Sequence, residues 1–203
     1  MIRRILVGDN ERVIVTRNRR FDTILAPGVS WLYGLGVDWE VHNTRSPELV
    51  SEWTDFLAAK RPDVTAAHFT VVETGDTEVA VVSLDGKVAR VVSPGRRVLY
   101  WRDSVEVTFE RIDVAAEPEV PARLVAPLTR LGAASLAVFT LVEEGKRGLV
   151  HLDGRLIREL GAGAYAFWAA VARPVVTVTE LRRQTLEVAG QEILTADKVA
   201  IRV

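Results

Sequence analysis

The sequence predicts a β-rich α+β protein made of three tandem hairpin-centred repeats with linking helices. Three observations predict it. First, three segments align: "ILVGDNERVIVTRNRRFDTILAPGVSWLY" from Ile5, "TVVETGDTEVAVVSLDGKVARVVSPGRRVLYW" from Thr70, and "TLVEEGKRGLVHLDGRLIRELGAGAYAFWA" from Thr140. Second, each carries a tight turn between alternating runs, at Asn18-Arg19, Asp85-Gly86 and Asp153-Gly154. Third, each then has a small-residue turn and an aromatic landing: Pro27-Gly28 before Trp31, Pro94-Gly95 before Tyr100 and Trp101, Ala162-Gly163 before Phe167 and Trp168.

Each repeat opens on an apolar lead-in and a glycine, Gly8, Gly75 or Gly145. Asp-Gly between alternating strands is a strong hairpin signal, because both turn residues need positive φ. Asn18 is the non-glycine residue best suited to that conformation in the first copy. In the second turns Pro27 and Pro94 fix φ in the first two copies, and Gly28, Gly95 or Gly163 supplies the permissive position. The aromatics that follow are expected to plug the ends of small sheets. A further alternating strand closes each copy, over 37–43, 104–114 and 174–188.

Between the first two copies, Ser46 suits an N-cap, Pro47 a first helical position, and Leu49, Val50, Trp53, Phe56 and Leu57 form an apolar stripe. The spacing predicts a helix over 47–60, stopped by Pro62 and laid on a sheet face with Trp53 in the core. A weaker helix is expected around Leu124, Val125, Leu128 and Leu131, interrupted by Pro127. The modules are then 1–65, 66–137 and 138–203.

Composition narrows the function classes. The chain has 203 residues and no cysteine, which excludes disulfides, thiolate metal sites and thiol nucleophiles. Lys plus Arg number 26 against 27 Asp plus Glu, so no global field recruits nucleic acid or an acidic membrane. The start, "MIRRILVGDNERVIV", lacks the apolar core of a signal peptide, and the runs at 133–142 and 161–172 are too short to span a bilayer.

Candidate sites are few. His42, His68 and His151 are scattered without ligand spacing, so no metal is expected. Gly34–Gly36 and Gly161–Gly163 lack the strand–loop–helix context of a phosphate cradle and read as turns. The basic run at 17–20 sits at a hairpin tip with no second basic patch, against nucleic-acid binding. No nucleophile elbow or paired acids stand out, so no catalytic residue or cofactor is expected.

The third copy carries a resemblance. "EEGKRGLVHLDGRLIRELGAG", followed by "LRRQTLEVAGQEILTADKVAIRV", resembles the opening of the band-7 (SPFH) domain of the stomatin, prohibitin and flotillin family, most closely the bacterial slipins. Its specific part is Gln191, Glu192, Ile193, Leu194 and Thr195, with Asp197 beyond. The resemblance covers residues 138–203; the first two copies share the hairpin but lack that block. It implies that the third module is the start of a band-7 domain continuing past Val203. It also implies a non-catalytic scaffold that self-associates as a homo-oligomer and modulates membrane-associated partners, a membrane protease among them. The location implied is cytoplasmic, peripheral at the membrane through regions outside this sequence. An alternative from the repeats alone is a soluble tandem β-module that binds a protein or small ligand without a membrane role. The strand over 197–203 is expected to pair back against 177–190, with Val199, Ile201 and Val203 facing Leu186 and Val188.

Overall fold

The computed structural model describes residues 2–181, 192–194 and 200–202. It is β-rich, with short helices between small antiparallel sheets. The first five strands are β1 (Ile2–Val7), β2 (Glu11–Arg17), β3 (Arg20–Leu25), β4 (Gly28–Tyr33) and β5 (Val37–Asn43). β1 pairs with β4, while β2 lies between β3 and β5. After α1 (Thr54–Lys60) and α2 (Pro62–His68), the scheme recurs in β6 (Phe69–Glu73), β7 (Glu78–Leu84), β8 (Lys87–Val92), β9 (Arg97–Trp101) and β10 (Val107–Asp113). After α3 (Ala122–Leu131) it recurs again in β11 (Ala137–Val142), β12 (Lys146–Leu152), β13 (Arg155–Leu160), β14 (Gly163–Trp168) and β15 (Val175–Glu180).

The recurrence reaches the level of single residues. Each hairpin carries a bulge one step from its tip, between Val15 and Thr16, Val82 and Ser83, and Val150 and His151. Asn18, Asp85 and Asp153 adopt φ near +50°, followed by Arg19, Gly86 and Gly154 at φ +62°, +74° and +77°. A left-handed arginine is costly where glycine is free. Arg19→Gly is therefore expected to stabilise the chain by roughly 1 kcal/mol, read as a rise in the denaturation midpoint; a fall would show that the Arg19 side chain holds the tip.

Alternation gives each unit two faces. The inner face closes a small two-layer core: Ile5, Val7, Val13, Val15, Leu32 and Val37 in the first unit. The second has Val72, Ala80, Val82, Val92, Val98 and Tyr100, and the third Val142, Val150, Leu160 and Phe167. Pairing places Val13, Ala80 and Gly148 at one position on the middle strand, and Leu32, Tyr100 and Phe167 at another across the layer. As the side chain across the layer grows from Leu to an aromatic ring, the middle-strand residue shrinks from Val to Ala to Gly. A Cβ on Gly148 would lie 3.1 Å from both Leu160 and Val142 side-chain atoms.

The outer face joins units. Ile14, Ile24, Leu49, Leu57, Phe69, Leu99 and Trp101 form one cluster across the first junction. Val79, Val81, Val120, Leu124, Leu128, Ala137, Ala166 and Trp168 do the same across the second. Both times, the middle sheet of one unit meets the first and fourth strands of the next, with helix side chains filling the gap.

Several expectations are corrected here. The predicted helix over 47–60 begins only at Thr54, and Pro62 opens α2 instead of ending a chain of helix. Pro47–Leu49 is extended, because the edge of β9 offers it better backbone partners: Leu49 N–H donates to Leu99 O at 2.8 Å and Trp101 N–H to Pro47 O at 2.7 Å. Val50 is left exposed, and Trp53 is only half-buried, its ring edge-on to Phe56 at 5.6 Å. Gly145 does not match Gly8 and Gly75; that place belongs to Glu143. Gly8 and Gly75 N–H groups donate to Glu11 and Glu78, whereas in the third unit Glu143 pairs with Lys146. Gly28 and Gly163 are strand residues opposite Val7 and Val142, while Gly95 lies in the turn before β9.

β16 (Glu192–Leu194) pairs with β17 (Ala200–Arg202), Ile193 opposite Ile201. This replaces the expected return against 177–190, since pairing across a short connection closes at lower entropy cost. Gln191, Thr195, Asp197, Leu186, Val188, Val199 and Val203 lie outside the described residues.

Between α1 and α2, Arg61 grips Asp63 with two hydrogen bonds of 3.0 and 2.8 Å. This pair holds the Asp63 carboxyl down to about 2. Its stabilising effect is present above the ordinary aspartate range and is lost as pH falls toward 2. An NMR titration is expected to place Asp63 there, and Arg61→Gln to return it to the usual range; an ordinary value in the unaltered protein would contradict the pairing.

Candidate functional site: an open face and strand edge on the first unit

The outer face of β1 and β4 carries Ile2, Arg4, Leu6, Val29, Trp31 and Tyr33, all exposed. The register identifies what occupies the same positions elsewhere. Phe69, Val71, Leu99 and Trp101 in the second unit, and Ala137, Phe139, Ala166 and Trp168 in the third, lie in the junction clusters. Trp101 and Trp168 are each 2% exposed, whereas Trp31 is 53% exposed. The expected burial of this aromatic is therefore corrected: Trp31 lies where a junction would be, and no described segment covers it. A contiguous exposed apolar patch of this kind marks an interaction surface.

The edge beside that face is open too. In the second unit β9 is flanked by Pro47-Glu48-Leu49, with Glu48 opposite Tyr100. In the third, β14 is flanked by Pro118-Glu119-Val120: Val120 N–H donates to Ala166 O at 2.9 Å and Trp168 N–H to Pro118 O at 2.8 Å. Each glutamate is anchored on the third strand of the receiving unit, Glu48 by Arg90 and Glu119 by Arg158. Pro-Glu-aliphatic is thus a strand-adding segment used twice. Along β4 no such segment lies among the described residues, and the equivalent of Arg90 is Thr23.

The polar groups of the junctions vary in a matched way. Arg12, 9% exposed, reaches Asp103 of the second unit at 3.0 Å. At the second junction the same two places hold Val79 and Ala170, both in its apolar cluster. His42 lies against the Trp101 ring at 6.0 Å and its Nε2 meets Glu40 at 3.2 Å. Burial lowers the pKa of His68 and favours its neutral form.

Other concavities offer less. A cavity of about 590 Å³ is lined by Thr16, Trp39, Glu40, Trp53 and Phe56, but Glu40 is already shared by Ser51 at 2.8 Å and His42. The basic tip at 17–20 is partly engaged, since Arg17 bonds Tyr33 O at 2.8 Å and Asp22 at 3.2 Å. Among the described residues no group of His, Asp and Glu could hold a metal ion, and no helix is long and apolar enough to cross a membrane.

Asn18, Asp85, Gly86, Asp153 and Gly154 shape the hairpin tips, Gly95 lies in the turn before β9, and Gly28 and Gly163 open strands; together they do not converge on a site. Glu192, Ile193 and Leu194 of the family-like block form β16. Sequence reasoning missed the open edge; the recurring Pro-Glu-aliphatic step after β5 and β10 was the signal. The arrangement defines a class in structural terms, a serial array of β units with an unfilled joining surface. No protein-family model matches the chain, and no curated protein and no solved structure does either.

Proposed function

We propose that this chain is a non-catalytic, stomatin-like (slipin) scaffold protein that self-associates and modulates membrane-associated partners, with its third unit the start of a band-7 domain. The observation that carries this reading is the open joining surface of the first unit, built like surfaces that are filled twice within the same chain. Such a surface recruits protein by strand addition and apolar burial, which is the work of a scaffold. The Gln191–Asp197 block supports the family, and a membrane protease is the partner class it implies.

The open β4 edge also favours a second reading, a soluble tandem β-module that captures an extended segment of another protein without a membrane role. Cross-linking in the native cell followed by membrane fractionation separates the two. The scaffold reading expects a multimer of the chain, recovered with membranes and cross-linked to an integral membrane protein. Recovery of a monomer bound only to soluble protein would replace it with the second.

A further inference from the structure

Resting on the self-association in that reading, we propose that the open face and edge of the first unit receive the third unit of a second copy, head to tail. The occupant follows from the chain's own junctions. Each filled outer face of β6–β9 or β11–β14 meets the middle sheet of the preceding unit. Of the three middle sheets, the third is the one whose outer face is open among the described residues: Leu156 is 51% and Val175 62% exposed on either side of His151, with Leu149 half-buried two residues along β12. The equivalents of Leu156 and Leu149, which are Phe21 and Ile14 in the first unit and Val88 and Val81 in the second, lie within junctions.

At one place charge complementarity favours this pairing. Ile24 and Val71 belong to the first junction cluster, and Val91 and Phe139 to the second. By register, the same two places at the open ends are Glu159 on β13 and Arg4 on β1. An apolar pair in both built junctions thus becomes an acid at one end and a base at the other. Both side chains are exposed, and neither has an ion pair or hydrogen bond among the described residues. The Arg12–Asp103 contact shows that a junction of this design accepts an ion pair in place of an apolar one.

A two-fold arrangement of first units does not fit. It would bury Arg4 of both copies in a face made otherwise of Ile2, Leu6, Val29, Trp31 and Tyr33, with no carboxylate to meet either charge. In sequence, the stretch after β15 repeats the acid–aliphatic step as Glu187-Val188, as Glu48-Leu49 and Glu119-Val120 do after β5 and β10. A heterologous contact of this kind propagates into a ring or a filament.

Sedimentation equilibrium of the full chain over a concentration series tests it, with near-ultraviolet circular dichroism checking the fold of every variant. The unaltered chain is expected to grow with concentration. Trp31→Asp blocks the head and Leu156→Asp the tail, each weakening association by roughly 30-fold or more. Mixed, the two variants are expected to form a one-to-one dimer that goes no further. Arg4→Glu and Glu159→Arg should each weaken growth, and the double variant restore it; should Trp31→Asp not fold, Val29→Lys replaces it. Association abolished by Trp31→Asp but untouched by Leu156→Asp and Glu159→Arg would overturn the head-to-tail contact while leaving self-association standing. A chain that stays monomeric up to its solubility limit would overturn both.

Discussion

Trp101→Ala is expected to lower stability by about 3–5 kcal/mol, whereas Trp31→Ala is expected to change it by no more than about 0.5 kcal/mol. Both lie on the outer face of the corresponding strand pair, where by register Tyr33 matches Trp101 and Trp31 matches Leu99 two residues before it. Trp101 lies in the first junction against Phe69, ring centroids 4.4 Å apart, with Leu57, Leu99 and Ile14 in the same cluster. Its removal opens a cavity between two units that cannot easily collapse, because sheets on both sides fix its walls. Trp31 has solvent over its outer side. Denaturant unfolding of both variants reads the difference, and equal losses would show that the first unit is covered by a segment of its own chain.

The second large effect is expected inside the third unit. Gly148→Val should cost roughly 1–3 kcal/mol by overpacking, since the new side chain enters the space held by Leu160 and Val142. Valine is what the first unit carries at this position, Val13, in one apolar cluster with Leu32. The same substitution combined with Phe167→Leu reproduces the first unit's pair, so the double variant should recover most of the loss. A double-mutant cycle measures the coupling. Additive losses would mean that Gly148 and Phe167 do not share one interior, and that the units differ more than their register implies.

These expectations divide the molecule into what the sequence discloses and what it conceals. The hairpin tips are legible because Asp-Gly and Asn at a turn state their backbone requirement locally. The inner faces are legible because alternation is a property of neighbours in sequence. Pro47-Glu48-Leu49 misleads because proline before an apolar stripe also suits a helix start. What decides it is the free edge of β9, some fifty residues away and invisible to any local pattern. Trp31 misleads for the complementary reason. Its spacing matches Trp168 and Trp101 to within two or three residues, but burial of this face depends on a preceding unit, and the first unit has none among the described residues. Arg12 and Asp103 are likewise unreadable as a pair from sequence, being 91 positions apart.

The bulges beside Thr16, Ser83 and His151 also escape a sequence reading, because no glycine marks them. They twist the third strand of each unit and carry Asp22, Ala89 and Ile157 out of the ladder, which bends β3, β8 and β13 around the inner core. The strand that carries Arg90 or Arg158 lies close to the added Pro-Glu segment, whose glutamate the arginine binds.

Backbone amide hydrogen exchange in dilute protein tests the central claim, one joining surface filled twice and open once. The N–H groups of Trp101 and Trp168, bonded to Pro47 and Pro118, should exchange slowly, as should those of Leu49 and Val120. The Tyr33 N–H, their equivalent on β4, should exchange fast in the monomer and slow as concentration rises. Protection of Tyr33 equal to that of Trp101 at all concentrations, or fast exchange at Trp101 and Trp168, would contradict it.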